Sequence, residues 1–364
     1  MDDSVQPLFP VPSCAVFAHR RKLGDPVPRS VNRAYSGTLP MRDAPEEVAD
    51  AKLTVRENVP ALEVANFEGG SKYRGQFKQG ATLVPRYMVL VDRPPAGKLG
   101  FDAARPPVVS RRSGLEKKPW KDLTSLSGSV EREFLRPVLL GESILPFRVW
   151  KPFEGVVPVT DKGRMLDAKA ATDLGLQGLP DWMTRAEAAW EANKAKGTKQ
   201  KYTDQLDYYG KLTAQFPISK LRLVYAKAGM KPAACLVQDE RAVLDHKLYG
   251  IALKRLVEAR YLSAILNSEE IRSRVAHMQS RGQWGARDFD KVMFNLPIPL
   301  FDADNPPHAE LAAAGKQAEE LAAKVDIPET VGFQKARSLV RNALDEADIS
   351  SRIDALVARL LDGA

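Results

Sequence analysis

Residues 256–301 read LVEARYLSAILNSEEIRSRVAHMQSRGQWGARDFDKVMFNLPIPLF, and the rest of the chain is parsed outward from them. Leu262, Ile265 and Leu266 stand at i, i+3 and i+4, the spacing of an apolar stripe on a helix. The pattern breaks at Asn267-Ser268. Asn267 is placed to cap a second helix, with Glu270 three residues on able to reach back. Ile271, Val275 and Met278 share one face of that helix. A Gly-flanked loop follows, with Arg281, Gln283, Trp284 and Arg287 supplying two guanidinium groups, an amide and an indole. Lys291-Val292-Met293-Phe294 reads as a short strand. Leu296-Pro297-Ile298-Pro299-Leu300-Phe301 reads as an extended apolar segment, because each proline fixes its own φ and pushes its predecessor out of the α region. Two capped helices therefore present one preorganised loop whose side chains hydrogen-bond and stack. A basic surface loop of no special role has the same spacing.

With 364 residues the chain can hold two or three domains and a sizeable core. Its 44% hydrophobic and 27% charged content is that of a soluble globular protein, which sets aside fibrous and disordered classes. No apolar run approaches the roughly 18 residues of a membrane span, and Met1-Asp2-Asp3 lacks the layout of a signal peptide. Cys14 and Cys235 lie far apart in apolar runs and read as reduced core thiols of a cytoplasmic protein. His19, His246, His277 and His308 show no metal-ligand spacing.

The formal net charge is +8. Between residues 71 and 120, Lys72, Arg74, Lys78, Arg86, Arg93, Lys98, Arg105, Arg111, Arg112, Lys117 and Lys118 face only Asp92, Asp102 and Glu116. That excess equals the whole chain's, and a concentrated basic stretch suggests a polyanion, most simply nucleic acid. A solvated basic face that keeps the protein soluble is the plainer alternative. Within the stretch, residues 71–80 alternate cations with aromatics and amides. Phosphates are met by Lys and Arg, and bases by amides, guanidinium forks and flat rings. Gly75 and Gly80 would permit close backbone approach.

Elsewhere the run Pro10-Val11-Pro12-Ser13-Cys14-Ala15-Val16-Phe17-Ala18 suits a strand buried on both faces, with residues 31–39 returning as its partner. Residues 46–51 read as a polar link and 53–55 as a strand. Residues 94–129, rich in Pro, Gly, Ser and Lys, read as a long irregular loop. Residues 134–140 and 144–150 read as strands, the second near an edge because of Pro146. Residues 164–212 are helical, with Trp182 and Trp190 as packing anchors. Residues 221–225 and 233–237 form a hairpin, and 308–325, 332–344 and 349–361 are amphipathic helices. No Gly-x-Gly-x-x-Gly, phosphate loop, nucleophile elbow or close carboxylate pair is present.

Taken together, Lys220-Leu221-Arg222-Leu223-Val224-Tyr225, Tyr261-Leu262-Ser263-Ala264-Ile265-Leu266-Asn267-Ser268, Gln283-Trp284-Gly285-Ala286-Arg287 and Leu296-Pro297-Ile298-Pro299 resemble the C-terminal half of N6-adenine DNA methyltransferases of restriction–modification and phage-defence systems. In that family the region is the target-recognition domain. Residues 71–86 are similar to the start of that domain, and Pro10 to Phe17 to a late strand of the methyltransferase sheet. The family's cofactor glycine motif and Asn-Pro-Pro-Tyr loop should lie upstream of residue 1. Asn305-Pro306-Pro307-His308 resembles that loop, but it ends in His, follows Pro-rich coil and opens an Ala-rich helix, where Pro is ordinary.

The resemblance implies an α+β fold: a mixed β-sheet target-recognition domain with a helical insertion and C-terminal helices, preceded by a short β segment completing a methyltransferase-like sheet. It divides the chain into a β segment (1–62), a basic β-rich first half of the recognition domain (63–161), the insertion (162–215), the second half (216–301) and the C-terminal helices (302–364). The expected role is DNA binding and target recognition, with double-stranded DNA and a methyltransferase catalytic chain, or another restriction or defence subunit, as partners. S-adenosylmethionine would belong to that partner or to a missing N-terminal part, so this chain alone is expected to hold no cofactor or metal and not to be catalytic alone. DNA contacts are expected from Lys72, Tyr73, Arg74, Gln76, Lys78, Arg86, Arg111, Arg112, Lys117, Lys118, Arg281, Gln283, Trp284, Arg287 and Lys291. Two rivals remain. A specificity subunit of a multi-subunit restriction enzyme usually carries two recognition domains, and no internal repeat is seen here. A non-enzymatic assembly subunit would use the C-terminal helices and bind no DNA.

Overall fold

A computed structural model describes residues 33–57, 70–95, 100–114, 116–279, 281–282, 285–286 and 288–363. The strand expected over Pro10 to Phe17 lies outside them. β1 (Ala34–Gly37) and β2 (Leu53–Arg56) pair antiparallel with each other. Among the described residues β1 is thus the return strand expected within 31–39, and its partner is β2. Residues 46–51, expected as a link, belong to α1 (Glu46–Lys52), where Glu46 and Glu47 in the first turn and Lys52 in the last suit the helix dipole.

The chain then lays down β3 (Lys78–Gln79), β4 (Leu90–Asp92), β5 (Pro107–Ser110), β6 (Ser127–Ser129) and β7 (Leu135–Leu139). A tight hairpin, β8 (Ile144–Leu145) and β9 (Arg148–Val149), precedes β10 (Phe153–Val156). Three helices follow, α2 (Ala168–Asp173), α3 (Gly178–Asn193) and α4 (Tyr202–Leu206). Next come β11 (Arg222–Ala226), β12 (Ala234–Val237), β13 (Val243–Leu244) and β14 (Leu248–Ala252). After α5 (Leu256–Asn267) and α6 (Glu269–Val275), a small ladder forms from β15 (Arg281–Gly282) and β16 (Gly285–Ala286). The last helices are α7 (Pro306–Lys324), α8 (Phe333–Glu346) and α9 (Ile349–Asp362).

Six strands form one sheet in the order β13-β7-β10-β4-β5-β6, antiparallel except where β13 runs parallel to β7. Four form a second, antiparallel sheet in the order β12-β11-β14-β3. The fold is α+β with a mixed sheet, as expected. Residues 94–129 are less irregular than expected. They supply β5 and β6, whose alternation is short and hidden among prolines and serines. Residues 144–150 are no single strand, because the chain reverses at Pro146-Phe147, with Phe147 at φ 60°.

The helical insertion covers the six-stranded sheet. Trp182 is buried among Tyr87, Met88, Leu179 and Met183, and its indole N–H donates to the Met88 carbonyl at 3.0 Å. Trp190 donates to the Gln200 carbonyl. Both are the packing anchors their helical spacing implies. The start of α3 rests on β6 so closely that a Cβ at Gly178 would lie 2.2 Å from the Ser129 carbonyl oxygen. Glu131 secures this contact by accepting from the backbone N–H groups of Gln177, Gly178 and Leu179, each at 2.8 Å. Burial pushes its carboxyl upward, but the three amides of that helix start outweigh it and hold the pKa below the ordinary value. A depressed carboxylate contributes stability that is present above its unfolded pKa of about 4.3 and is lost as pH falls through the folded value. Glu131→Gln is therefore expected to flatten the acid side of the stability–pH curve. An acid limb with the same slope in urea unfolding from pH 6 to 3 would remove Glu131 from that role.

The second core lies between the four-stranded sheet and α5 to α9. Asn267 does not cap α6. It ends α5, accepts from the Ala234 N–H and donates to the Ala234 carbonyl, both at 2.9 Å, and so ties the helix to β12. Ser268 is the cap, with its hydroxyl accepting from the Ile271 N–H at 3.2 Å. Residues 292–295 form a 3-10 turn rather than a strand. Met293 and Phe294 are both fully buried within this turn. The loop carrying Asp245 joins the two sheets between β13 and β14 and packs against residues 80–81.

Candidate nucleic-acid interface

The local sequence explains how residues 71–78 sort themselves. Ser71, Tyr73 and Phe77 point inward, and Lys72, Arg74, Gln76 and Lys78 point out. The Ser71 hydroxyl donates to the Ile298 carbonyl, and the Ser71 N–H is shared by the carbonyls of Phe294 and Leu296. The Phe77 ring stacks on Phe294 at 4.6 Å. The Pro-stiffened segment thus holds this turn, and the first basic segment docks directly on the second.

Tyr73 is consequently not a base-stacking group. It is 1% exposed, its hydroxyl donates to Glu258 at 2.9 Å, and the Phe301 N–H donates to that hydroxyl. An aromatic among cations looks the same in sequence whether it faces DNA or the core. Gly80, read as a site of close approach to a ligand, is buried against protein backbone instead. At Gly75 a Cβ would meet nothing within 4 Å.

A ridge of three cations results. The Lys291 ammonium donates to the Arg74 carbonyl at 3.0 Å, the Arg74 guanidinium donates to Asn295 Oδ1 at 2.6 Å, and the Lys78 ammonium donates to the Gly75 carbonyl at 2.9 Å. Lys291 lies 5.7 Å from the centre of the Tyr249 ring. Burial, then the charges of Lys78 and Arg74, push the Lys291 pKa below its usual value, against the opposing pull of Asp290. Asp290 is itself engaged by the hydroxyl of Tyr249 and lies 3.9 Å from Lys227. Crowded like charges of this kind favour an incoming anion. Lys227, Asn295 and Tyr249 are not evident as site residues in the sequence, since each joins the ridge only through tertiary contacts: Tyr249 by strand pairing, Asn295 by its bond to Arg74 and Lys227 by its approach to Asp290.

The remaining cations divide. Arg112 belongs to the scaffold: its guanidinium donates to the carbonyls of Trp120, Lys121 and Leu123 and pairs with Glu116 at 2.7 Å, which closes the loop on itself. Arg111 pairs with Asp92 at 2.9 Å over the Phe153 ring. Arg86 is half-buried, 3.8 Å from the buried Asp245 carboxylate. Lys117 and Lys118 are exposed, and Lys118 is 3.5 Å from Asp122. Arg281 contributes backbone to the β15–β16 ladder, opposite Ala286. Gln283, Trp284 and Arg287 lie outside the described residues.

His308 is structural. Its Nδ1 accepts from the Asp302 N–H at 2.9 Å, the ring is 3% exposed near Tyr261, and burial lowers its pKa. Asn305-Pro306-Pro307-His308 simply opens α7. Cys235 is buried and unpaired. Among the described residues no cluster of His, Cys, Asp or Glu could hold a metal ion, and no helix is long and apolar enough to cross a membrane.

No protein-family model matches the chain, and no curated protein is significantly similar to it. Among solved structures, the chain is similar to the Type IIL restriction-modification enzyme MmeI in complex with DNA, at 10% identity and a TM-score of 0.45. The match takes in 64% of this chain and 28% of that one, so this chain corresponds to little more than a quarter of that enzyme's length.

Proposed function

We propose that this chain binds double-stranded DNA as the target-recognition part of an N6-adenine DNA methyltransferase system. The observation that carries the reading is the convergence of two segments more than 200 residues apart into one ridge, where Arg74, Lys78 and Lys291 crowd together. Those cations would neutralise phosphates, and Gln76 and Asn295 beside them would offer amides to base edges. S-adenosylmethionine, whose glycine motif this sequence lacks, would be held by a catalytic partner chain or by an N-terminal part.

The test is a salt titration of duplex binding by fluorescence anisotropy. Replacing Arg74, Lys78 and Lys291 together by alanine should remove about three counterion-releasing contacts. The slope of log K against log salt should then flatten by about 2.7, at roughly 0.9 per contact. Arg112 is left intact, because its loss would open the loop it closes. A slope identical to that of the unaltered chain would place the DNA elsewhere.

A further inference from the structure

Away from the ridge, an open cleft of about 830 Å³ lies between the loop at residues 113–120 and the segment linking α3 to α4. Arg86, Lys117, Lys118, Lys194 and Lys247 line it. Lys194 pairs with Glu191 at 2.9 Å, and Arg86 and Lys118 lie 3.8 and 3.5 Å from Asp245 and Asp122. Glu116, the lining carboxylate among the described residues, is paired with Arg112, which leaves Lys117 and Lys247 as the rim cations with no ion pair among those residues. Its aromatic wall is Trp120 and Trp190, stacked nearly parallel at 3° with ring centres 5.6 Å apart. Trp120 is the half-exposed member of that pair. Tyr87 backs the wall, and its buried hydroxyl has no hydrogen-bond partner among the described residues. The volume falls in the range of small-molecule and cofactor sites. Cations at the rim and indoles within are the two features that a phosphorylated heteroaromatic ring requires, the first for phosphate and the second for a stacked base.

We infer that this cleft binds a nucleotide, with its phosphate at Lys117, Lys118 and Lys247 and its base against Trp120. The nucleotide is either free or one unpaired unit of a DNA strand. For the second source the proposal rests on the DNA-binding reading above, because Lys247 on the cleft meets Lys227 beside the ridge through a backbone hydrogen bond. Base extrusion is cheapest where the base is already unpaired.

The test uses the full chain with two probes, followed by tryptophan fluorescence and anisotropy. The first probe is dAMP, with deoxyadenosine and inorganic phosphate as controls. The second is a duplex carrying a one-base bulge, compared with its fully paired counterpart. Binding of dAMP at least tenfold tighter than either control, and weakened at least tenfold in the Lys117→Ala/Lys118→Ala variant, supports the free nucleotide. No dAMP binding, with a tenfold preference for the bulged duplex that disappears in Trp120→Ala, supports the strand-borne source. The lysines are exposed, so their variant reports even where Trp120→Ala is poorly folded. Absence of both signals, or signals that survive both variants, overturns the site. Because paired-duplex binding and its loss in the ridge variant are measured separately, failure of the cleft is distinct from failure of the DNA reading.

Discussion

Trp182→Ala is expected to lower the unfolding free energy by about 3–5 kcal/mol, the usual cost of emptying a buried aromatic site. Two terms add here. The ring is 1% exposed and fills the space between α3 and the six-stranded sheet, so its removal leaves a cavity that Leu179, Met183 and Tyr87 cannot close without moving the helix. Its N–H also satisfies the Met88 carbonyl, and losing that partner leaves a buried acceptor unpaired at about 1–3 kcal/mol. Trp182→Phe separates the terms, since it keeps most of the volume and loses the donor. It should cost about 1–2 kcal/mol. Urea unfolding of both variants is the measurement. A loss under 1 kcal/mol for Trp182→Ala would contradict the assignment of this side chain to the core. Duplex affinity per folded molecule should be unchanged in both, because Trp182 lies on the insertion's inner face, away from the ridge.

That tryptophan was readable as an anchor because helical spacing is a local signal: Trp182, Ala186 and Trp190 declare one face within nine residues. The same locality made α5, α7, α8 and α9 legible nearly to their ends. Sheet assembly was not legible in the same way. β3 and β13 are two residues each, and nothing in Lys78-Gln79 or Val243-Leu244 states which strand either will join. The partner is chosen by closure of the chain over more than 100 residues, an event that local sequence does not encode. The candidate site shows the same division. Lys72, Arg74, Gln76 and Lys78 were identifiable from residue type. Their separation from Tyr73 was not, although Tyr73 and Phe77 at i and i+4 already formed an apolar pair. In sequence Arg112 reads as a phosphate contact, because charge is visible there and the backbone carbonyls that capture it are not. Trp120 is inconspicuous in sequence for the opposite reason. It follows Lys117-Lys118-Pro119 in a basic loop, which was a usable signal, but its partner Trp190 lies 70 residues away.

Gly80→Ala should be as disruptive as a core deletion, and it tests the junction that positions the ridge. A Cβ at this position would sit 2.3 Å from the Leu244 carbonyl oxygen and 2.4 Å from that of Asp245. Both are backbone atoms, so no flexible side chain can swing aside. Residues 80–81 are also fixed by hydrogen bonds: Gly80 N–H to the Leu248 carbonyl, Ala81 N–H to the Leu244 carbonyl, and His246 N–H to the Ala81 carbonyl. An added methyl must therefore part β3 from the loop that joins the two sheets, breaking at least one of these bonds. Overpacking typically costs about 1–3 kcal/mol and occasionally more, and an obstruction made of backbone belongs at the upper end. Gly75→Ala is the matched control. It adds the same methyl five residues earlier, into open space, and should shift stability by less than about 0.5 kcal/mol. Because Gly80 directly follows β3, which carries Lys78, displacement there should also weaken duplex binding per folded molecule, whereas Gly75→Ala should leave it nearly unchanged. Thermal unfolding and anisotropy on the two variants give the comparison. Equal stabilities would mean that Gly80 is not wedged against the loop that joins the sheets, and the ridge would then lack the support that brings Lys78 to Arg74 and Lys291.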